Sequence, residues 1–169
     1  MAFKEIPIEG LSLNPFTKIG QEWALLSAGV EGKYNTMTVA WASLGVMWHK
    51  NTVNIYIRPQ RYTLEFVDNN DYFTLSFFDE KYRKGLNICG VKSGRDGDKV
   101  SEAGFTPYFV YGTTAFEEAN MILICKKKYR QELKEEFFLD QEMMKKNYPE
   151  KDYHVMYFGE IEHVLVREE

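Results

Sequence analysis

Apolar and polar positions alternate in several short runs along this chain, and each run is cut off by glycine, proline or a cluster of acids and amides. "EWALLSAGVEGKYNTMTVAWAS" reads as two strands joined at "EGKYN", where Gly32 and Asn35 tolerate the positive φ angles of a tight hairpin. "NTVNIYIR" is a third strand by its β-branched and aromatic content, and "DYFTLSFF" a fourth. Pro59 ends the third strand and lets a helix start in "QRYTLEFVDNN", with Leu64 and Val67 on its buried face and the polar run Asp68 to Asp71 closing it. "DKVSEAGFTP" holds a short helix and its stop: Val100 and Ala103 inward, Gly104 as C-cap, Pro107 beyond. The first half of "ANMILICKKKYRQEL" is solidly apolar, as in a strand buried on both faces, while its charged second half suits an exposed strand or a helix; we read one long strand. "DQEMMKKNYP" gives one or two helical turns behind Asp140 as N-cap, and "YHVMYFGEIEHVLV" is the last strand.

Six or seven strands with two or three short helices leave no room for the long crossovers of a parallel sheet. A closed or split antiparallel barrel removes exposed strand edges and is the architecture this pattern predicts. No repeat, low-complexity segment or linker breaks the 169 residues, so one domain over 1–169 is expected, and 44% hydrophobic residues can fill its core. The net charge of -4 disfavours a general nucleic-acid binder. "MAFKEIPIEG" lacks the apolar core of a signal peptide and no run reaches membrane-spanning length, which points to a cytoplasmic protein. Cys89 and Cys125 have neither disulfide-framework nor zinc-site spacing and are expected as reduced thiols.

Three stretches carry candidate chemistry. In "RPQRYT", Arg58 and Arg61 flank the entrance of the predicted helix with Tyr62 and Thr63, a set that can hold a phosphate through charge-assisted bonds; the plainer reading is a solvated pair of arginines beside a helix start. "ICGVKSGRDGDK" again mixes cations with small residues (Lys92, Ser93, Gly94, Arg95, Gly97, Lys99), and its glycines let backbone N–H groups approach an anion. As a loop by itself it is equally an ordinary surface turn. Neither GxxxxGK[ST] nor GxGxxG after a strand is present, which argues against ATP and a Rossmann-bound dinucleotide. The third stretch is "YNTMTVAWASLGVMW". A flavin ring needs packing at its apolar end and hydrogen-bonding groups at its pyrimidine end; Asn35, Thr36 and Thr38 can serve the second need, Met37 and Trp41 the first. Without such a ligand the same residues are a turn and a core strand. His49, His154 and His163 are scattered and form no catalytic dyad.

Together with "YFTLSFF" and the closing "YHVMYFGEIEHV", these stretches resemble the successive motifs of the flavin reductase-like, FMN-binding split-barrel family, the flavoredoxin type in particular, over roughly residues 20 to 165. The resemblance implies an all-β fold with a few short helices, built as a six-stranded antiparallel split barrel of Greek-key type. It also implies a homodimer with the site near its interface and one non-covalent FMN per protomer. Asn35, Thr36, Met37, Thr38 and Trp41 would then line the isoalloxazine ring. Arg58, Arg61, Tyr62, Thr63 and Lys92 would bind the ribityl phosphate end, with Ser76, Cys89 and Ser93 close by. Electrons would pass from a transiently stacked NAD(P)H through the flavin to free flavin, a ferric complex or a protein. An electron carrier without NAD(P)H oxidation, a non-catalytic barrel holding another phosphorylated aromatic, and a barrel of the pyridoxamine phosphate oxidase kind are the alternatives.

Overall fold

Two hairpins organise the first third of the chain. In the computed structural model, which describes residues 2–168, β2 (Ala24–Val30) returns as β3 (Lys33–Val39) through Glu31 and Gly32, the glycine at φ +79°. β4 (Ala42–Met47) returns as β5 (Lys50–Ile57) through Trp48 and His49, both at positive φ. A two-residue turn of this hand matches the twist of the strands but is normally left to glycine or asparagine. β6 (Tyr72–Phe77), β9 (Met121–Glu132) and β10 (Val155–Arg167) complete an antiparallel path in the order β3-β2-β6-β9-β10-β5-β4, and β1 (Phe3–Ile6) adds to β10. β7 (Pro107–Val110) and β8 (Thr113–Phe116) pair separately.

The two edge strands of the path, β3 and β4, are joined by only Ala40 and Trp41, so the sheet must roll until its ends meet at that corner. Register shifts at Phe158/Gly159 and Ile161/His163 bend β10, the longest strand, into the roll. Alternate residues from every quarter of the path then meet inside: Met37, Leu26, Leu75, Leu123, Tyr157 and Ile55 share one cluster, closed by Phe66 and Val67 of α2 (Thr63–Asn69). Outside, Leu25, Ile122, Ile124 and Leu165 pack beneath α3 (Arg83–Val91), α4 (Lys99–Ala103) and β8. The first half of β9, Met121 to Cys125, is covered on both faces, which is why its sequence shows an unbroken apolar run there rather than alternation.

The mainly β, antiparallel fold with short helices is as read, but the described residues hold ten strands rather than six or seven. β1, β7 and β8 have four residues each, too few for a period, and β4 is mostly exposed with little alternation of its own. α1 (Pro15–Gly20), capped by Asn14 onto the Phe16 N–H at 3.0 Å, and α3 were also not read. α3 contains Gly85 and Gly90, poor helix formers whose smallness is needed: a Cβ on Gly85 would lie 2.7 Å from the Ala103 carbonyl, and one on Gly90 3.3 Å from Thr38 Cβ. The supposed loop "ICGVKSGRDGDK" is therefore the last turn of α3, a true loop, and the start of α4. In α2 the buried pair is Phe66 and Val67, with Leu64 only partly covered. Gly104 (φ +77°) stops α4, and Asp140 caps α5 (Gln141–Asn147) by accepting the Met143 N–H at 2.9 Å. No helix among the described residues is long and apolar enough to cross a membrane.

Candidate functional site

β3 positions the first half of the site by alternation. Asn35, Met37 and Val39 face inward, while Thr36 and Thr38 face the outer layer. Thr36 is sealed: its Oγ1 lies 2.8 Å from Ser27 Oγ and donates to the Leu26 carbonyl at 3.1 Å. Thr38 donates to the carbonyl of Leu86 and so pins α3 against the strand. Beyond it, Met37, Thr38, Trp41, Tyr56, Arg58 and His154 line a cleft of about 240 Å³. Through Trp41, Tyr56 and His154 the cleft continues into a larger, mostly apolar cavity of about 520 Å³ between α1 and the β4–β5 hairpin.

The polar wall of the cleft is a linked set. Arg58 donates to Asp152 at 2.9 Å and to the Asn147 carbonyl at 3.0 Å, with its guanidinium 4.9 Å above the Tyr148 ring. His154, buried against Trp41 at 5.2 Å between ring centroids, has Nδ1 2.7 Å from the Tyr148 hydroxyl. Burial, with Arg58 adding to it, pushes the His154 imidazole down to about 4, so at neutral pH it is an uncharged group facing the cleft.

At the other end of β3 lies a smaller recess of about 80 Å³, walled by Asn35, Arg61, Tyr62, Thr63, Lys92 and Ser93, with Gln60 and Lys99 behind them. Asn35 Nδ2 donates to Thr63 Oγ1 at 2.9 Å. Gly94 crosses so close that a Cβ there would stand 2.2 Å from Asn35 Oδ1. Arg61 donates from Nη1 to the Gly90 carbonyl at 2.8 Å, while its Nη2 is buried without a hydrogen-bond partner. Burial lowers its guanidinium pKa. Lys99 is 4% exposed and donates to the Cys89 and Lys92 carbonyls at 3.1 and 2.9 Å. Burial pushes its ammonium down to about 8. Neither cation meets a carboxylate among the described residues, so positive charge in the recess has no carboxylate partner and favours an incoming anion. Lys92, at the rim, is paired with Glu102, and Arg95 ties the loop to Glu65 at 2.7 Å.

Of the thirteen residues expected at the site, Met37, Thr38 and Trp41 meet in the cleft, and Arg61, Tyr62, Thr63, Lys92 and Ser93 meet in the recess. Asn35 lies in the recess rather than the cleft, and Arg58 in the cleft rather than with the phosphate group, because Pro59 turns the chain between Arg58 and Arg61 and Asp152 draws Arg58 away. Thr36, Ser76 and Cys89 line neither space. Ser76 faces outward from β6, where Leu75 takes the inward position, and Cys89 packs under Leu25 and Phe105 with its thiol pushed up to about 11 by burial. Cys89 and Cys125 are both buried and free. Lys99, Gln60, Tyr56 and His154 escaped the sequence reading as site residues; Lys99 stood among the cations of the glycine-rich stretch, but nothing in that stretch marks which lysine is buried.

A flat head in an aromatic-edged cleft and an anionic tail in a cationic recess, both set along one strand, are what this geometry can accept. Residues 16–169 match the model of the flavin reductase like domain. The chain belongs to that family. Among solved structures it is similar to an FMN-binding domain of a flavin reductases-like enzyme from Shewanella baltica (TM-score 0.69, 14% identity, covering 98% of this chain and 77% of that one). It is also similar to flavoredoxin from Methanosarcina acetivorans (0.67, 22%, 95% and 76%) and flavoredoxin of Desulfovibrio vulgaris (0.68, 18%, 98% and 78%). At these identities the likeness establishes the fold, a flavin reductase-like split barrel. No curated protein matches the chain. Within this flavin reductase-like domain, β3 borders both spaces: Tyr56, Arg58 and His154 face it across the cleft, and the Gln60–Thr63 segment with the loop after α3 faces it across the recess.

Proposed function

We propose that this flavin reductase-like domain binds one FMN without a covalent bond and serves as an oxidoreductase. The observation that carries the reading is Arg61: a half-buried guanidinium whose Nη2 has no hydrogen-bond partner, in the wall of a recess at one end of the strand whose other end borders an aromatic cleft. The residues present fit the cofactor. Arg61, Tyr62, Thr63, Lys92 and Ser93 would hold the phosphate, with Asn35 fixed beside them, and Met37, Thr38 and Trp41 would border the ring. Bound there, FMN supplies the reversible redox chemistry that the side chains lack. The protein's part is to orient it. α3 fixes Thr38, Gly94 lets the loop close over Asn35, and the neutral His154 keeps a polar but uncharged group at the cleft.

NAD(P)H is the proposed electron donor, since the apolar cavity that continues from the cleft offers a second planar group a place beside the first without any dinucleotide-binding motif. A free flavin, a ferric complex or a protein is the proposed acceptor, and the working unit is proposed as a homodimer with the site near its interface. Likeness to the two flavoredoxins favours a second reading, an FMN electron carrier that takes no electrons from NAD(P)H itself. A visible absorption spectrum of the purified protein, with mass spectrometry of the molecule released by heat, tests the cofactor. Oxidised-flavin bands and released FMN are expected; a colourless protein that FMN cannot reconstitute overturns the reading. Anaerobic mixing of the flavin-loaded protein with NADH and NADPH separates the two roles, because only the reductase bleaches.

A further inference from the structure

The two cations of the recess are anchored in the same way. The last turn of α3 turns its carbonyl groups toward them: Cys89 O and Lys92 O accept from Lys99, and Gly90 O accepts from Arg61. Helix C-termini attract cations, so α3 holds both charges in place from behind. Each keeps a donor in reserve. An ammonium has three N–H groups and Lys99 spends two; a guanidinium has five, and Arg61 Nη2 spends none. Lys99 is also almost wholly withdrawn from water, an environment that disfavours its charge while no anion is near.

We propose, resting on the FMN reading above, that Lys99 is a principal phosphate ligand of the recess and that it makes phosphate binding proton-linked. Arg61 is the permanent charge, and Lys99 is the conditional one. When the phosphate enters, its negative charge offsets the burial and the neighbouring guanidinium, and Lys99 completes its protonation at that moment.

The groups facing Lys99 support this assignment. α3 contributes Cys89, whose thiol is pushed up to about 11 and stays neutral, and the segment before α2 contributes Arg61 and Tyr62. The loop after α3 contributes Lys92, already engaged by Glu102 of α4. Asp98 precedes Lys99 in the chain, but its carboxylate caps α4 by accepting the Ser101 N–H at 3.1 Å. Lys99, pushed down to about 8 by burial, therefore changes charge in mildly alkaline solution. The sign follows: the free site loses its proton as pH rises through about 8, the phosphate-bound site keeps it, and affinity falls on the alkaline side.

The test is a fluorescence titration of the apoprotein with FMN and with riboflavin, which has the same ring and no phosphate, from pH 7.5 to 9.5. The FMN Kd is expected to rise about 25-fold over that range, as for one linked proton, while riboflavin stays level. Calorimetry at pH 9 in two buffers of different ionisation enthalpy should show about 0.9 proton taken up per FMN, a readout that needs no variant. Lys99→Arg, which keeps the charge but does not titrate, should bind FMN with pH-independent affinity; Lys99→Gln should bind weakly and without pH dependence, its fold checked by circular dichroism. FMN bound with the same affinity and no proton uptake across the range overturns the role of Lys99 and leaves the FMN reading intact. Parallel weakening of riboflavin also overturns it, by assigning the effect to the ring or the fold. Failure of both flavins to bind at pH 7.5 overturns the FMN reading, and this one with it.

Discussion

Asn35 Nδ2 donates to Thr63 Oγ1 at 2.9 Å, and through that bond the inward edge of β3 is tied to the first residue of α2. Thr63 is 1% exposed, so bulk water scarcely reaches its hydroxyl. Asn35→Ala is expected to cost about 1–3 kcal/mol, the penalty for stranding a buried polar group. Urea denaturation is the check, and a midpoint equal to wild type would show that the bond contributes nothing.

Arg61 and the ring cleft make separable contributions. Arg61→Ala removes one charge-assisted phosphate contact, worth about 1.5–3 kcal/mol, so FMN affinity should fall by more than tenfold. Riboflavin should bind Arg61→Ala as it binds wild type. An unchanged FMN Kd would reject the phosphate role of the recess.

Trp41 gives the converse pattern. It is half exposed at the two-residue corner between β3 and β4 and borders both the cleft and the apolar cavity. An aromatic contact with the ring is worth about 0.5–1.5 kcal/mol, so Trp41→Ala should weaken FMN and riboflavin alike, by about 2- to 13-fold. If only FMN weakened, Trp41 would belong to the tail and the orientation proposed for the ligand would be reversed.

Much of the barrel was legible because its strands declare themselves locally. The alternation in "DYFTLSFF" separates the barrel-facing Phe73, Leu75 and Phe77 from the Thr74 and Ser76 that lie under the outer layer, the unbroken run in "MILIC" is the image of a strand apolar on both faces, and Asp140 and Gly104 mark helix ends by their own chemistry. α3 was not legible, since its glycines oppose a helix and are tolerated only because Phe105 and Thr38 press against them from distant parts of the chain. The site divides in the same way. Residue type revealed the cations and hydroxyls near "RPQRYT". Only the three-dimensional path decides that Arg58 turns to Asp152, that Ser76 points outward, and that Lys99 rather than Lys92 is the buried lysine.

Gly159 is required by the bend of β10. It sits at a register shift against β9, and a Cβ there would lie 2.5 Å from Phe73 Cζ and 3.1 Å from Cys125 Cβ, both in the sealed interior. Gly159→Ala should therefore destabilise by about 1–3 kcal/mol through overpacking, although alanine is otherwise the smaller risk in a strand. A thermal melt at or above the wild-type Tm would mean that the Phe73 ring moves aside without cost.

His154 supplies the pH dependence of stability. Its imidazole is pushed from the usual 6.5 to about 4 in the folded protein, first by burial and then by Arg58, with Asp152 opposing weakly from beyond the guanidinium. Between those values the unfolded chain binds a proton that the folded one refuses, so stability is whole above about pH 6.5 and is lost as pH falls toward 4. At about 1.36 kcal/mol for each pH unit, the loss attributable to this one group approaches 3 kcal/mol at the acid end. Carboxylates elsewhere add their own acid dependence, and the comparison must therefore be differential. His154→Gln preserves a polar side chain opposite the Tyr148 hydroxyl but cannot take up the proton. Urea midpoints at pH 7 and pH 5 should differ more for wild type than for His154→Gln. Equal shifts in the two proteins would mean that the imidazole is protonated in the folded state, and the uncharged wall assigned to the cleft would have to be replaced by a cationic one.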